Sequence, residues 1–368
     1  MINFENRLKS LKDRRQGTRE RILLEKGYNS WDSGDYRTRE SYEALTEANG
    51  VKYAIGAMAA VSQQSTDVSV REGNRVADTL ISSLSTAGIS ATKRLQGSVA
   101  LDVHIEGHSD VDMLIILTST VQVQMPTVDG STCFASDKRS MEDIIRELRL
   151  TSEVKLTSRY PEATVNCNGN KSIALEGGSL QRKVDIVPSC WYNSHAYQHS
   201  NQEFDRGVKI YNKQEHKLLL NWPFLHIKRV NDRDNSYSGN LKRVVRLMKN
   251  MIADMPDYKK RVAKKLSSYD LAAIGYQMDK DLNLPTYMTL GLVEKTRENL
   301  SMLVLSQRLR DLVMVPDGSR KIFDSEDKFE ALKILESEMD DLAKSIFKEL
   351  RPFATTYESS TLTDKAIF

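Results

Sequence analysis

Residues 110–117 read DVDMLIIL, in which two aspartates stand at the head of an apolar run. The run from Val111 to Leu117 favours a buried β-strand, because it is apolar, partly β-branched and too short for a helix. Side chains two apart in a strand point to the same face, so Asp110 and Asp112 are expected to project together. Two carboxylates at this spacing repel each other unless a cation lies between them. The stretch therefore predicts a site for a hard divalent ion such as Mg²⁺.

A third carboxylate is expected to join this pair. Residues 182–187 read RKVDIV, a second strand that we predict to be ended by Pro188, and Asp185 is its one acidic position. If this strand pairs beside the first, three carboxylates converge. Three carboxylates can hold two metal ions, which is the arrangement for in-line displacement at a phosphorus atom.

A Gly-Ser pair precedes the acidic strand. Gly97 and Ser98 are followed by eleven residues and then by Asp110. A glycine at a strand-to-helix turn lets the backbone approach a ligand closely, and the free N–H groups of the following helix bind phosphate. Alone, a Gly-Ser pair is an ordinary turn and an Asp-x-Asp an ordinary strand start. Together with Asp185 they predict a functional site.

Charge is concentrated in two segments. The net charge of the 368-residue chain is only +3, yet residues 241–265 carry nine basic and two acidic side chains, and residues 323–350 carry nine acidic and four basic ones. Lys242, Arg246 and Lys249 share one face of a predicted helix. One interpretation of the basic run is a solvated helix face, and another is a surface for triphosphates or for a nucleic-acid or protein regulator.

A second phosphate-binding position is predicted near residue 268. Ser267 and Asp270 fit a capping box, which predicts a helix that runs to about Met278. Ser268 then lies at a helix N-terminus, and Tyr269 is placed to stack on a base. The alternative is an ordinary capped helix with a core tyrosine.

The remaining pattern divides the chain. Long helices are predicted between Tyr42 and Leu84, broken near residues 65–67, with hairpins at 164–175 and 207–220 and mainly helices from Pro223 onward. We predict domains at residues 1–220 and 221–350 and a loose tail at 351–368. No apolar run can span a bilayer, and no secretory signal begins the sequence. The three cysteines indicate free thiols, so a cytoplasmic location is expected. We also expect a monomer.

The combined motifs resemble a known family. Gly-Ser-x11-Asp-Val-Asp with a later Val-Asp-Ile-Val-Pro resembles the polymerase-β-like nucleotidyltransferases. Residues 221–226, 247–249 and 266–269 resemble the bacterial relatives of cyclic GMP-AMP synthase, the cGAS/DncV-like nucleotidyltransferases (CD-NTases), and in particular the group close to CdnE. The resemblance covers about Ala91 to Lys280.

This resemblance implies an α+β fold, with a polymerase-β-like nucleotidyltransferase core around a mixed sheet, a helical domain like that of oligoadenylate synthetase, and a cleft between them. It implies that ATP and other nucleoside triphosphates are joined into a cyclic di- or trinucleotide with release of pyrophosphate. It also implies a setting in antiphage (CBASS) signalling.

The resemblance also implies residue roles. Asp110 and Asp112 would bind two Mg²⁺ ions, with Mn²⁺ as an alternative, while Asp185 would complete one metal site and help to deprotonate the attacking ribose hydroxyl. The implied nucleotide-binding residues, with Arg246 added because it shares a helix face with Lys249, are Gly97, Ser98, Lys249, Ser268, Tyr269 and Arg246.

A zinc site and two other functions are alternatives to this interpretation. Animal members of the family bind zinc through a His/Cys cluster, but Cys190, His195 and His199 lack a second cysteine beside Cys190, so zinc is not expected here. A nucleotidyltransferase that extends an RNA 3′ end or a small molecule would use the same three carboxylates. A non-catalytic basic nucleic-acid-binding module would instead show salt-sensitive binding that survives loss of the carboxylates.

Overall fold

The computed structural model describes residues 2–25, 40–107, 109–135 and 137–368. Its α-helices are α1 Phe4–Glu25, α2 Ser41–Ala44, α3 Asn49–Met58, α4 Gln63–Ser85, α5 Gly97–Ala100, α6 Met141–Arg159, α7 His195–Ser200, α8 Pro223–Ser236, α9 Asn240–Asp254, α10 Asp257–Ala263, α11 Ser268–Gln277, α12 Thr289–Leu305, α13 Gln307–Arg310, α14 Glu326–Leu350 and α15 Ser360–Thr363. Its strands are β1 Ala91–Gln96, β2 Val111–Val123, β3 Thr164–Asn166, β4 Ile173–Glu176, β5 Val184–Asn193, β6 Gly207–Asn212 and β7 Lys217–Asn221.

The chain divides into two compact units. We call the first the helical unit; it comprises Met1–Val61, Asp102–His108 and Arg229–Phe368. We call the second the sheet unit; it comprises Ser62–Leu101 and Ser109–Lys228. Among the described helices, none is both long and apolar enough to cross a membrane.

The sheet unit contains a seven-stranded mixed sheet within its described residues. The strand order is β1-β2-β5-β4-β3, with β6 beside β5 and β7 beside β6. β2 and β5 are parallel, whereas the other pairs are antiparallel. The hairpins predicted at 164–175 and 207–220 are confirmed.

The core of the sheet unit fixes the position of β2. Helices α4 and α6 contribute Leu80 and Ile145 to a cluster with Met113 and Ile115 on one face of the sheet. The opposite face carries a smaller cluster that includes Leu114. Burial of each such aliphatic side chain stabilises the fold by about 1.5–3 kcal/mol. Because β2 is held on both faces, the residues at its head are held in register.

Pro188 does not end its strand, contrary to the sequence prediction. β5 continues through it to Asn193. On one side β5 pairs with β4 as far as Ile186 and with β6 from Ser189 onward. Neither strand pairs with Pro188, so on that side no ladder hydrogen bond is required of the missing N–H.

Helices α1, α2 and α3 belong to the helical unit, whereas we predicted them to lie in a domain of residues 1–220 together with the sheet. Asn250 of α9 donates through Nδ2 to Ala57 O in α3 at 2.8 Å. Arg14 of α1 forms an ion pair with Asp254 of α9, whose other carboxylate oxygen accepts from Tyr53 at 3.0 Å. These contacts are hundreds of residues apart in sequence, so helical periodicity alone did not reveal them.

Two smaller predictions also differ from the structure. The break between the long N-terminal helices lies at residues 59–62, where Ser62 caps α4, and not at 65–67. The C-terminal tail is anchored in part: Leu362 is fully buried, and the amide of Ile367 donates to Tyr287 O at 2.9 Å, whereas Phe353 is exposed.

Candidate active site

The parallel pair β2 and β5 aligns the predicted carboxylates. Val111 is opposite Val184, and Asp112 is opposite Asp185. Strand alternation places both aspartates on the face opposite to α4 and α6. Asp110 lies one residue before β2, and the amide of Val111 donates to the carbonyl of the residue before Val184 at 3.0 Å. The structure therefore brings the three predicted carboxylates together at the N-terminal ends of β2 and β5.

A lysine that was not predicted as a site residue joins them. Lys183 lies one residue before β5, opposite Asp110, and its Nζ is 2.5 Å from Asp110 Oδ2. Both side chains are a little more than one third exposed. The hydrogen bond to Asp110 raises the pKa of Lys183, outweighing burial, and Asp185 adds to this effect. Lys183 could have been found from the sequence, because it lies two residues before Asp185 and so shares a face of the strand with it.

Asp185 lies in a more enclosed setting than Asp110. Burial raises the pKa of the Asp185 carboxyl, and the negative charge of Asp110 adds to this, while Lys183 and Ser172 act in the opposite direction. Ser172 Oγ donates to Asp185 Oδ2 at 3.2 Å. Asp185 Oδ1 is buried and accepts no hydrogen bond from the described residues. A buried carboxylate oxygen without a donor is stabilised by a cation.

Arg149 supports this side of the site. Its side chain is fully buried in α6, and Nη2 donates to Gly169 O at 2.9 Å and to Ser172 O at 3.0 Å. The guanidinium thus fixes the β3–β4 loop that carries Ser172. Neither Arg149 nor Ser172 was predicted as a site residue, because neither belongs to a recognised motif.

Gly97 lies directly against Asp112. β1 ends at Gln96, which is paired with Asp112, and α5 begins at Gly97, so the predicted strand-to-helix turn is confirmed. Gly97 has φ +74°, and a Cβ there would lie 3.0 Å from Asp112 Cγ and closer still to Oδ2. Ser98 follows, half-buried. Because α5 is a single turn, the backbone N–H groups of this turn matter more than a helix dipole.

The other predicted nucleotide-binding residues belong to the helical unit. Lys249 is half-buried on α9, Ser268 is exposed at the first position of α11, and Tyr269 is half-buried beside it. The predicted capping box is confirmed: Ser267 Oγ accepts from the amide of Asp270 at 3.3 Å, and the Asp270 carboxylate accepts from the amide of Ser267 at 2.9 Å. The cap leaves the Ser268 hydroxyl outside this pair of bonds.

Arg246, predicted to bind nucleotide, forms hydrogen bonds to backbone carbonyl groups. It is buried, with Nε donating to Met58 O at 2.8 Å and Nη1 donating to Asp102 O at 2.7 Å. Burial lowers the pKa of this guanidinium, although Asp102 opposes the effect. Its donors are used to hold α9 against α3 and the 102–108 segment, so these contacts do not support the expectation that it binds phosphate.

Two lysines of the remaining basic run, Lys259 and Lys265, pair with the acidic helix α14. Glu338 accepts from Lys259 Nζ at 2.6 Å and from Arg7 Nη2 at 2.5 Å. Lys265 lies 3.3 Å from Asp327. These ion pairs are internal to the helical unit, which weakens the interpretation of the run as a nucleic-acid-binding surface.

The residues at the N-terminal ends of β2 and β5 fit a divalent cation. They supply three carboxylates and the unsatisfied Oδ1 of Asp185, which are the oxygen ligands that Mg²⁺ and Mn²⁺ prefer. Across the described ranges, no group of three or more His, Cys, Asp or Glu side chains stands arranged to hold a metal ion. At this site the Asp110 carboxylate is paired with Lys183, whose Nζ lies 2.5 Å from Asp110 Oδ2.

Comparisons with known proteins identify the family. No protein-family model matches the chain. It is 36% identical over 347 residues to the cyclic dinucleotide synthase CdnE of Yersinia aleksiciae, covering 90% of this chain and 89% of that protein. It is 30% identical over 325 residues to a c-di-GMP synthase of Capnocytophaga granulosa, covering 82% and 88%.

A solved structure gives the same result for the fold. The STING-associated CdnE c-di-GMP synthase from Capnocytophaga granulosa superimposes with a TM-score of 0.69 at 28% identity, covering 94% of this chain and 99% of that one. The predicted fold, a polymerase-β-like core with a mixed sheet and an oligoadenylate-synthetase-like helical domain, is confirmed. This chain therefore belongs to the CdnE cyclic dinucleotide synthases, within the CD-NTase family.

Proposed function

We propose that this protein joins two nucleoside triphosphates into a cyclic dinucleotide and that Asp110, Asp112 and Asp185 are its catalytic carboxylates. The observation that carries the proposal is the pairing of Asp112 with Asp185 across β2 and β5, with the Gly97 backbone against Asp112. Membership in the CdnE family supplies the reaction class. The observed register supports the proposal, because it places Asp112 opposite Asp185.

In the proposed reaction, a ribose hydroxyl of one nucleotide attacks the α-phosphorus of another. A P–O bond forms, the bond to pyrophosphate breaks, and the hydroxyl proton passes to the Asp185 carboxylate. Without a bound metal ion, burial raises the pKa of this carboxyl, which is the direction that favours proton uptake. A divalent ion held by the three carboxylates, Mg²⁺ or Mn²⁺, would supply charge neutralisation at the reacting phosphate.

Phosphate binding is assigned to backbone and side-chain donors. We propose that the turn at Gly97 and Ser98 binds the β- and γ-phosphates, because the missing side chain opens the backbone N–H groups to a ligand. We propose the same role for Lys249 and Ser268, and stacking on the donor base for Tyr269. The exposed position of Ser268 in the first turn of α11 supports its part in this assignment.

GTP is the first nucleotide to test. The Capnocytophaga granulosa relatives are named c-di-GMP synthases, while the sequence expectation was ATP together with other nucleoside triphosphates. The setting in CBASS signalling, a regulatory protein or nucleic acid, the cytoplasmic location and the monomeric state all stay predictions.

The product distinguishes cyclisation from other transfers. The purified protein is incubated with Mg²⁺ and α-³²P-labelled GTP or ATP, singly and mixed, with and without an RNA oligonucleotide. A phosphatase-resistant product with the mass of a cyclic dinucleotide, formed without RNA, supports the proposal. Label found only on the added RNA would contradict it and favour the RNA-extending alternative.

Variants test the carboxylates. Asp112→Asn should lower turnover more than about 100-fold, because even outer-shell partners of a metal site are worth 10–100-fold. Asp78→Asn is the matched control, since Asp78 is an exposed aspartate of the sheet unit that pairs with Lys93. Equal turnover in the two variants would remove Asp112 from the proposed machinery.

A further inference from the structure

Lys183 is held beside the carboxylates by the backbone and not only by its own rotamer. Continuing the β2–β5 register back one residue places Lys183 opposite Asp110, just as Asp185 is opposite Asp112. The Lys183 carbonyl accepts from the amide of Val111 at 3.0 Å. Residues two apart share a face, so three carboxylates and one ammonium group lie on the same face of adjacent strands.

The ammonium group takes the position of a counter-ion. Its Nζ lies 2.5 Å from Asp110 Oδ2, and both side chains are a little more than one third exposed. Three carboxylates at the adjoining ends of two strands repel one another strongly unless positive charge is present. A single lysine offsets part of that repulsion but supplies half the charge of a divalent ion.

We propose that Lys183 is the resident counter-ion of the catalytic carboxylates in the metal-free protein and that a divalent ion must displace it from Asp110 to bind. This inference rests on the metal site of the proposed function. It makes Lys183 a positioning residue that sets how much divalent ion the enzyme needs. On this basis the lysine side chain stabilises the metal-free site and weakens its affinity for metal.

A neighbouring ion pair provides the contrast. Lys93 Nζ lies 2.5 Å from Asp78 Oδ2, the same separation, in the same unit. That pair joins α4 to β1 and involves none of the three catalytic carboxylates. An ordinary surface ion pair contributes little and can be removed with small effect. If Lys183 were such a pair, the two lysines would behave alike when replaced.

The test measures Mn²⁺ binding without nucleotide, by the electron paramagnetic resonance signal of free Mn²⁺ at constant ionic strength. Lys183→Met and Lys183→Gln should each bind Mn²⁺ about tenfold more tightly than the wild type, because one repelling charge near the ion is removed. Lys183→Arg, which keeps the charge, and Lys93→Met should keep the wild-type affinity. Melting temperatures in EDTA should fall for the two neutral variants at Lys183, and saturating Mn²⁺ should restore them.

The outcomes separate this inference from the proposed function. If Lys183→Met and Lys183→Gln bind Mn²⁺ as the wild type does while Asp112→Asn loses binding, the counter-ion role is overturned and the metal site stands. If Lys183→Arg gains as much affinity as Lys183→Met, charge is not the cause and the inference is overturned. If Asp112→Asn binds Mn²⁺ normally, the metal site itself is wrong.

Discussion

Replacing Gly97 by alanine should damage the fold and the active site together. The residue has φ +74°, in the left-handed region that costs an L-amino acid about 1–2 kcal/mol. Alanine also restricts the unfolded chain, which returns about 0.4–1 kcal/mol. Backbone strain alone therefore predicts a loss of about 1 kcal/mol in the free energy of unfolding.

The close approach to Asp112 adds a second cost. A Cβ at Gly97 would lie 3.0 Å from Asp112 Cγ, so the carboxylate has to move. Forcing an extra methyl group into a filled space costs about 1–3 kcal/mol. A shift of about 1 Å in a catalytic group lowers turnover by about 100-fold.

Gly88 offers a matched control. It has φ +77° in the same unit, and nothing lies within 4 Å of a Cβ placed there. Gly88→Ala should therefore show the backbone strain alone, about 1 kcal/mol, with unchanged pyrophosphate release. Urea denaturation and a coupled pyrophosphate assay measure the two effects. If both variants lose the same stability and both turn over as the wild type does, the contact between Gly97 and Asp112 does not have the importance assigned to it.

Three further predictions concern the helical unit. Arg246→Met should lower the free energy of unfolding by about 2–4 kcal/mol, because one buried and one partly buried carbonyl group lose a charged donor; a loss below 0.5 kcal/mol in urea denaturation would contradict this. Ser267→Ala should cost about 1 kcal/mol through the lost cap, whereas Ser268→Ala should leave stability unchanged and raise the KM for nucleotide about tenfold; the reverse pattern would contradict the assignment. Burial raises the pKa of Glu338, but its Lys259 and Arg7 partners outweigh this and hold the pKa below the usual 4.5. The stabilisation of the fold by the Glu338 carboxylate is therefore full above about pH 4.5 and is lost as the pH falls further. In that acidic range, the melting temperature of Glu338→Gln should fall less steeply with pH than that of the wild type. An unchanged dependence of melting temperature on pH would contradict this.

The sequence predicted those features that follow from local periodicity. Alternation along β2 indicated that Asp110 and Asp112 share a face, and the short apolar run indicated burial. The capping box at Ser267 and Asp270 was recognised because both partners lie within one helical turn. For the same reason, the turn at Gly97 was found from the residue type and its spacing to the acidic strand.

The features that escaped prediction depend on residues far apart in the chain. Arg246 donates to carbonyl groups 188 and 144 residues away, so its charge in a basic run indicated phosphate binding although tertiary structure uses it otherwise. Arg149 reaches a loop 20 residues on. Pro188 was read as a strand end because a missing N–H normally breaks a ladder, and only the change of partner strand along β5 explains its place.

The segment Asp102–His108 has a consequence for engineering and for evolution. It lies between Ser98 and Asp110 in sequence, yet it belongs to the helical unit, where Val103 and Ile105 are buried and Asp102 accepts from Arg246. A hybrid made by one crossover near residue 228 would pair this segment with a foreign helical unit and lose those contacts. A hybrid that exchanges substrate preference between relatives therefore needs residues 102–108 and the helical unit from the same parent. Because this segment lies within the sequence of the sheet unit, the two units should be inherited together.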